Sequence, residues 1–160
     1  MPVMKDYLKE IYARCKKWFL GWWNLTPHFV VGGPKDPYLL RWYIIPRNNL
    51  CCIYLHKFLK SDDDRAMHDH PWWSISFLLS GSYIEHNAQG KKEYTPGSII
   101  IRNATDPHRV ELHDTKPCWT LFITGRRVRE WGFHCPQGWI SWEDFTKPGF
   151  PGQTGKGCDQ

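Results

Sequence analysis

After Pro27 the chain runs in short apolar stretches broken by glycine, proline and asparagine, the pattern of strands joined by tight turns. These stretches predict strands over 29–31, 39–45, 50–58, 72–79, 82–86, 98–102, 108–113 and 119–124, with Gly81, Gly90 and Pro96-Gly97 as turn residues. Many short strands at close spacing predict a sandwich or barrel. Before Pro27 the period is different. Leu8, Ile11, Tyr12, Cys15, Phe19 and Trp22 recur three and four apart, while Lys9, Arg14, Lys16 and Lys17 mostly lie elsewhere. That predicts an amphipathic helix over 5–22 whose apolar face packs on the barrel. The segment 138–145 reads as a strand followed by a short turn of helix, its aromatics closing one barrel end. The last stretch, 147–160, has four glycines, two prolines and no apolar period, and is expected to be a flexible, dispensable tail. The chain therefore divides into a helical extension (1–27), an all-β barrel (28–146) and the tail (147–160).

Composition changes this picture only at its edges. Hydrophobic residues make up 41% of 160 residues and ten are tryptophan, enough apolar surface for one buried core and too much for a disordered chain. The formal net charge of +5 suits a small anionic molecule. Nucleic acid is not expected as a partner, because the densest basic cluster is only Arg126, Arg127 and Arg129, which reads as a solvated turn or strand edge. No uncharged apolar run approaches ~20 residues, so no membrane partner is expected. Charges in the first ten positions argue against a secretory leader. Six cysteines without a CxxC pair read as reduced thiols of a cytoplasmic protein.

Candidate chemistry is concentrated between His68 and His108. In extended chain alternate residues share a face, so the imidazoles of His68 and His70 point one way and Asp69 the other. The same alternation carries Trp72, Ser74, Ser76 and Leu78 along that face to Gly81. A second strand opens at Pro107-His108 and alternates through Val110 and Leu112. Where two such strands meet inside one barrel, three neutral imidazoles converge. That donor set suits iron, copper, nickel or zinc and leaves positions open for substrate.

In this register the residues resemble the two motifs of the cupin superfamily. His68 and His70 stand at the paired histidines, Gly81 at the closing glycine, Gly97 at the opening glycine of the second motif and His108 at its histidine. The 15 residues between Gly81 and Gly97 fit the compact spacing. Departures are Ser74 at the customary glutamate, Asp62 at the first opening glycine, and Asn103, Thr105 and Leu112 at the usual proline, glycine and asparagine. The resemblance covers roughly 50–124. It implies an all-β, cupin-type double-stranded β-helix, a jelly-roll barrel, with the N-terminal helix outside it. It also implies one divalent transition metal held by His68, His70 and His108 in the barrel mouth, iron(II) first, with zinc, nickel, manganese or copper as alternatives. Because Ser74 removes the carboxylate ligand, the site is similar to the all-histidine site of thiol dioxygenases. The same departure admits a metal-free barrel such as the sugar-nucleotide epimerases.

Around this site, Tyr54 and His56 alternate with Ile53 and Leu55 on 50–58. If their face is the inner one they are acid–base candidates, and periodicity alone does not fix the face. Trp72, Ser74, Arg102 and Arg109 are candidates for contacting substrate, the arginines through a carboxylate or phosphate. Asp62, Asp63, Asp64 and Arg65 read as a solvated turn, and His86, His113 and His134 as surface or packing residues. The leading expectation is a mononuclear non-haem iron oxygenase of a small, anionic molecule, with homo-oligomers compatible with the fold. A non-catalytic metal- or ligand-binding cupin and a metal-independent isomerase are the rivals.

Overall fold

The structure is a computed structural model that describes residues 2–62, 65–113 and 116–159. Helix α1 (Pro2–Trp23) leads into two six-stranded antiparallel sheets. The first runs β1 (Phe29–Val31), β2 (Leu39–Tyr43), β3 (Cys52–Phe58), β10 (Cys118–Thr124), β5 (Ser74–Ser80), β8 (Ile99–Arg102). The second runs β12 (Gly138–Ser141), β11 (Gly132–Cys135), β4 (Met67–His68), β9 (His108–Leu112), β6 (Tyr83–Asn87), β7 (Gly90–Tyr94). This is the all-β jelly-roll barrel of the double-stranded β-helix, as expected. A short helix α2 (Trp142–Phe145) and the pair β13 (Thr146–Lys147) and β14 (Phe150–Thr154) close one side.

The inner face is graded along its strands. From one end of the barrel to the other, β5 buries Ser74, Ser76 and then Leu78; β8 buries Arg102 and then Ile100. Likewise β9 passes from His108 to Val110 and Leu112, and β6 from Glu85 to Tyr83. Leu78, Tyr83, Ile100, Val110, Leu112 and Cys118 form the apolar core, with Phe58 and Tyr94 packed against it. Hydrophobic burial thus holds one half of the barrel, while polar side chains fill the other. Gly81 closes β5 with φ +78°, where a Cβ would stand 2.7 Å from the Pro117 carbonyl oxygen, so the turn needs glycine.

Several elements depart from the sequence pattern. Strand β5 begins at Ser74 rather than at 72, because the segment before it bonds elsewhere: His70 N–H to Ala104 O, and Gly125 N–H to Trp73 O. Strand β7, GKKEY, has no apolar alternation; it forms as a charged edge against β6 alone. The helix also differs. Its last turns are fixed where Trp18 and Trp22 both donate their indole N–H to Tyr43 O, at 2.7 and 2.8 Å. Leu8, Ile11, Tyr12 and Phe19, expected to pack on the barrel, are exposed. Among the described residues no helix is long and apolar enough to cross a membrane.

The expected tail is docked. Strand β14 pairs with β13, Gly157 N–H bonds the Phe145 carbonyl at 3.0 Å, and Gln153 donates to Gly32 O at 2.8 Å. Cys158 is disulfide-bonded to Cys135, so these two are not the reduced thiols expected; their Cα atoms lie 5.6 Å apart, within disulfide reach. The sequence signal failed here because the pairing depends on backbone and on one fully buried side chain, Phe145, rather than on an apolar period. Phe145 stacks on Phe133, beneath the Arg65 guanidinium and beside Cys158. Deleting 147–160 is therefore expected to lower the melting midpoint by about 5 °C or more, since uncovering an aromatic costs on the order of 2 kcal/mol and each kcal/mol is worth about 2–4 °C at this size. A differential scanning calorimetry midpoint equal to the full chain's would show that the segment contributes nothing.

Candidate metal centre

Three imidazoles meet at the polar end of the barrel. His68 on β4 pairs directly with His108 on β9, and His70 follows where the chain leaves β4 to bond Ala104. One ring nitrogen from each lies within 4.8 Å of the others, and Nε2 of His70 is 3.4 Å from Nε2 of His108. His108 Nδ1 is 3.3 Å from the Asp106 carbonyl oxygen, which holds the proton on Nδ1 and leaves the Nε2 lone pair facing the cluster. His70 and His108 titrate well below the ordinary imidazole range. Burial is the main cause for both; neighbouring His68 and Arg102 add to it for His70, and Arg102 and His68 for His108. The rings are thus neutral, the form in which imidazole ligates a metal.

Aromatic rings enclose the cluster. His70 lies between Trp72 and Phe122, and His68 against Trp131 and Phe133. Trp72 faces the cluster while Trp73 turns outward against Gly125. Ser74, buried to 1% exposure, stands opposite Arg102 in the β5–β8 register and opposite Thr124 in β10. Its hydroxyl is unpartnered.

Tyr54 and His56 face inward. Both are buried on β3 and their rings stack at 5.5 Å. Arg41 donates its Nε–H to His56 Nε2 at 2.8 Å, which places the imidazole proton on Nδ1, a buried atom with no protein partner. Burial, then Arg41 and His70, depress the His56 pKa well below its usual value. Burial likewise raises the Tyr54 phenol, keeping it protonated. Phe122 packs on both His56 and His70 and links the two.

The candidate arginines separate. Arg102 is buried and ion-paired with Glu85 across the barrel, with its Nε–H unpartnered. Arg109 lies on the opposite face of β9 from His108, where it bonds His86 and neighbours Glu111. It does not reach the cluster, because successive strand residues point to opposite faces.

Other residues of the site were not legible from sequence. Asp62, read as part of a solvated turn, is buried: it takes the Tyr38 hydroxyl and the Val110 N–H, and its carboxylate is 3.9 Å from His68 Nδ1. Asp63 and Asp64 of the same run lie outside the described residues. Asp69, between the two histidines, is fully buried; it accepts from Gly132 N–H on the β11–β12 hairpin, contacts His134 of the same strand and pairs with Arg129. The alternation that sends Asp69 away from the imidazoles was the one signal available for this.

No protein-family model matches the sequence, and no curated protein matches it. Solved structures do match in fold. A Ralstonia eutropha protein provisionally assigned as a mannose-6-phosphate isomerase shares 20% identity at a TM-score of 0.50, over 60% of this chain and 89% of that one. An uncharacterised Klebsiella pneumoniae protein with a double-stranded β-helix domain shares 16% at 0.49, over 63% and 88%. The DMSP lyase of Ruegeria pomeroyi shares 16% at 0.49 over 61% of this chain, which spans about half (52%) of the lyase's length. At these identities the likeness is one of fold.

Proposed function

We propose that this chain is a metal-dependent cupin enzyme acting on a small anionic molecule, and that with iron(II) it is an oxygenase. The observation that carries the reading is the convergence of His68, His70 and His108, with His70 and His108 held as neutral imidazoles and, among the described residues, no carboxylate completing the group. Three nitrogen donors fit a divalent transition metal and leave its remaining positions free. When bound, the metal supplies a Lewis acid and, as iron, a redox centre. The chain's own residues account for the substrate side. Unpartnered donors at Trp72 Nε1, His56 Nδ1 and Arg102 Nε, with the hydroxyls of Ser74 and Thr120, are buried in the barrel and suit a ligand rich in acceptors, such as a carboxylate.

His56 supports a second reading, metal-assisted acid–base chemistry of the isomerase or lyase kind. Its Nδ1 holds a proton at a buried, unpartnered position, Arg41 fixes the tautomer, and Tyr54 stacks on the ring. An oxygen electrode separates the two readings. Iron(II)-loaded protein is incubated with a panel of small thiols, amino acids and carboxylates. Substrate-dependent oxygen uptake is the expected result. Turnover without uptake, abolished in His56→Gln at unchanged metal content, would transfer the assignment to acid–base chemistry.

A further inference from the structure

We propose that Asp69 and Arg129 form a positioning clamp that joins the two halves of the histidine cluster and sets its metal affinity and ligand geometry, an inference that rests on the metal reading above.

The cluster is assembled from two pieces of chain. His68 and His70 come from one segment, and His108 from another that follows the loop 103–107. Nothing covalent fixes the distance between them within 38 residues. Asp69 grips the first piece. Its carboxylate is 1% exposed and points away from the imidazoles. Oδ1 accepts the Gly132 N–H at 2.8 Å, while the Asp69 N–H returns to Gly132 O at 3.0 Å. The hairpin it grips needs glycine at 132: a Cβ there would collide with the Ile140 carbonyl of β12 and lie 2.7 Å from the Trp139 ring. Oδ2 takes Arg129 NH1 at 2.6 Å, Trp139 Nε1 at 3.0 Å and sits 3.2 Å from His134 Nε2.

Arg129 carries the grip to the second piece. The same NH1 donates to Ala104 O at 3.3 Å, and that carbonyl also accepts the His70 N–H at 3.0 Å. Ala104 belongs to the loop that delivers His108, closed by Asn103 N–H to Asp106 Oδ2 at 2.8 Å. One guanidinium therefore touches both strands of ligand supply. A ligand shell needs its side chains held within about 0.5 Å, and changing groups that orient ligands costs roughly 10–100-fold in metal affinity. Arg129, one of the three arginines whose clustering reads as a solvated turn, is the member the clamp uses; Arg127 pairs with exposed Glu130 instead.

Cobalt(II) titration tests the clamp. Arg129→Met is the informative variant, because the Arg129 side chain is 31% exposed and its loss leaves a folded chain more readily than loss of buried Asp69. Arg129→Lys tests rescue by charge, and Leu78→Ala, in the apolar half of the barrel, serves as a destabilised control away from the clamp. Affinity is read by chelator competition, geometry by the cobalt d–d absorption, and stability by the metal-free melt. Arg129→Met is expected to weaken cobalt roughly 10–100-fold and to shift the d–d bands. Arg129→Lys should recover part of both, and Leu78→Ala should alter only the melt. Wild-type affinity and spectrum in Arg129→Met would overturn the clamp while leaving the metal reading intact, as would an affinity loss that Leu78→Ala reproduces at equal destabilisation. Failure of the wild-type chain to bind cobalt would overturn both.

Discussion

Alanine at His68, His70 or His108 is expected to abolish stoichiometric metal binding, while Ser74→Ala leaves it nearly unchanged. Three imidazole nitrogens converge, and among the described residues no carboxylate or thiol joins them. Removing one leaves two donors, too few to hold a labile divalent ion against a weak chelator. Ser74 is buried nearby, but a neutral hydroxyl is a poor ligand beside imidazole. Ser74→Glu would place a carboxylate at the position where cupin motifs carry one, and should retain the metal while occupying a coordination position. Two measurements check this. Metal per chain by mass spectrometry should fall from near one to near zero in each histidine variant. Melting should also lose its metal dependence: metal at 100 times its dissociation constant stabilises the folded chain by about 2.7 kcal/mol, on the order of 5–10 °C at this size. Equal metal content in wild type and all three variants would end the metal assignment and the oxygenase reading with it.

The histidine cluster was legible because its logic is local. Two imidazoles two residues apart on a strand must share a face, and a third at the head of another inward-facing strand has one place to go. The barrel was legible for the same reason, since β9 alternates cleanly between buried and less buried positions and β3 and β5 do so until their last residue. What escaped was everything decided by partners distant in sequence. Glu85 looks like a surface strand residue until Arg102 crosses the barrel to pair with it. Arg102, read as a substrate contact, gave no sign of that partner either. Asp62 reads as one of a charged run, yet Tyr38 and Val110 bury it beneath His68. Strand β14 has no periodicity to detect because its place is set by backbone pairing, and the chain after it docks at Phe145 through Gly157 and Cys158. The exposed apolar face of α1 is the converse case: a correct period, with the helix attached instead by the indole N–H groups of Trp18 and Trp22, by Arg14 to Arg47 O and by His28 to Trp18 O.

Metal-free protein is expected to lose stability steeply as pH falls below about 6.5, the ordinary imidazole value. His56, His70 and His108 are all held below that value, with burial the leading cause in each. The sign follows from proton counting. Between the depressed folded pKa and the unfolded value the unfolded chain binds more protons, so acid draws the equilibrium toward it. The contribution is fully present above the unfolded pKa and is lost as pH drops through this window. Each group contributes at most about 1.4 kcal/mol per pH unit, hence roughly 4 kcal/mol per unit for three, against a total stability of about 5–15 kcal/mol for an ordinary domain. Glu111, held low by its hydrogen bond with His86, acts in the same direction but only below its ordinary 4.5, outside the window. Urea unfolding of chelator-treated protein from pH 8 to pH 5 measures the slope. His56→Gln should flatten it by about one third, one group of the three, without changing metal content, since His56 bonds Arg41 and is not one of the clustered ligands. A stability that stays level from pH 7 to pH 5 would mean that the three rings are not buried as neutral imidazoles. Two of those rings, His70 and His108, belong to the cluster, so the metal reading would lose the neutral donors it depends on.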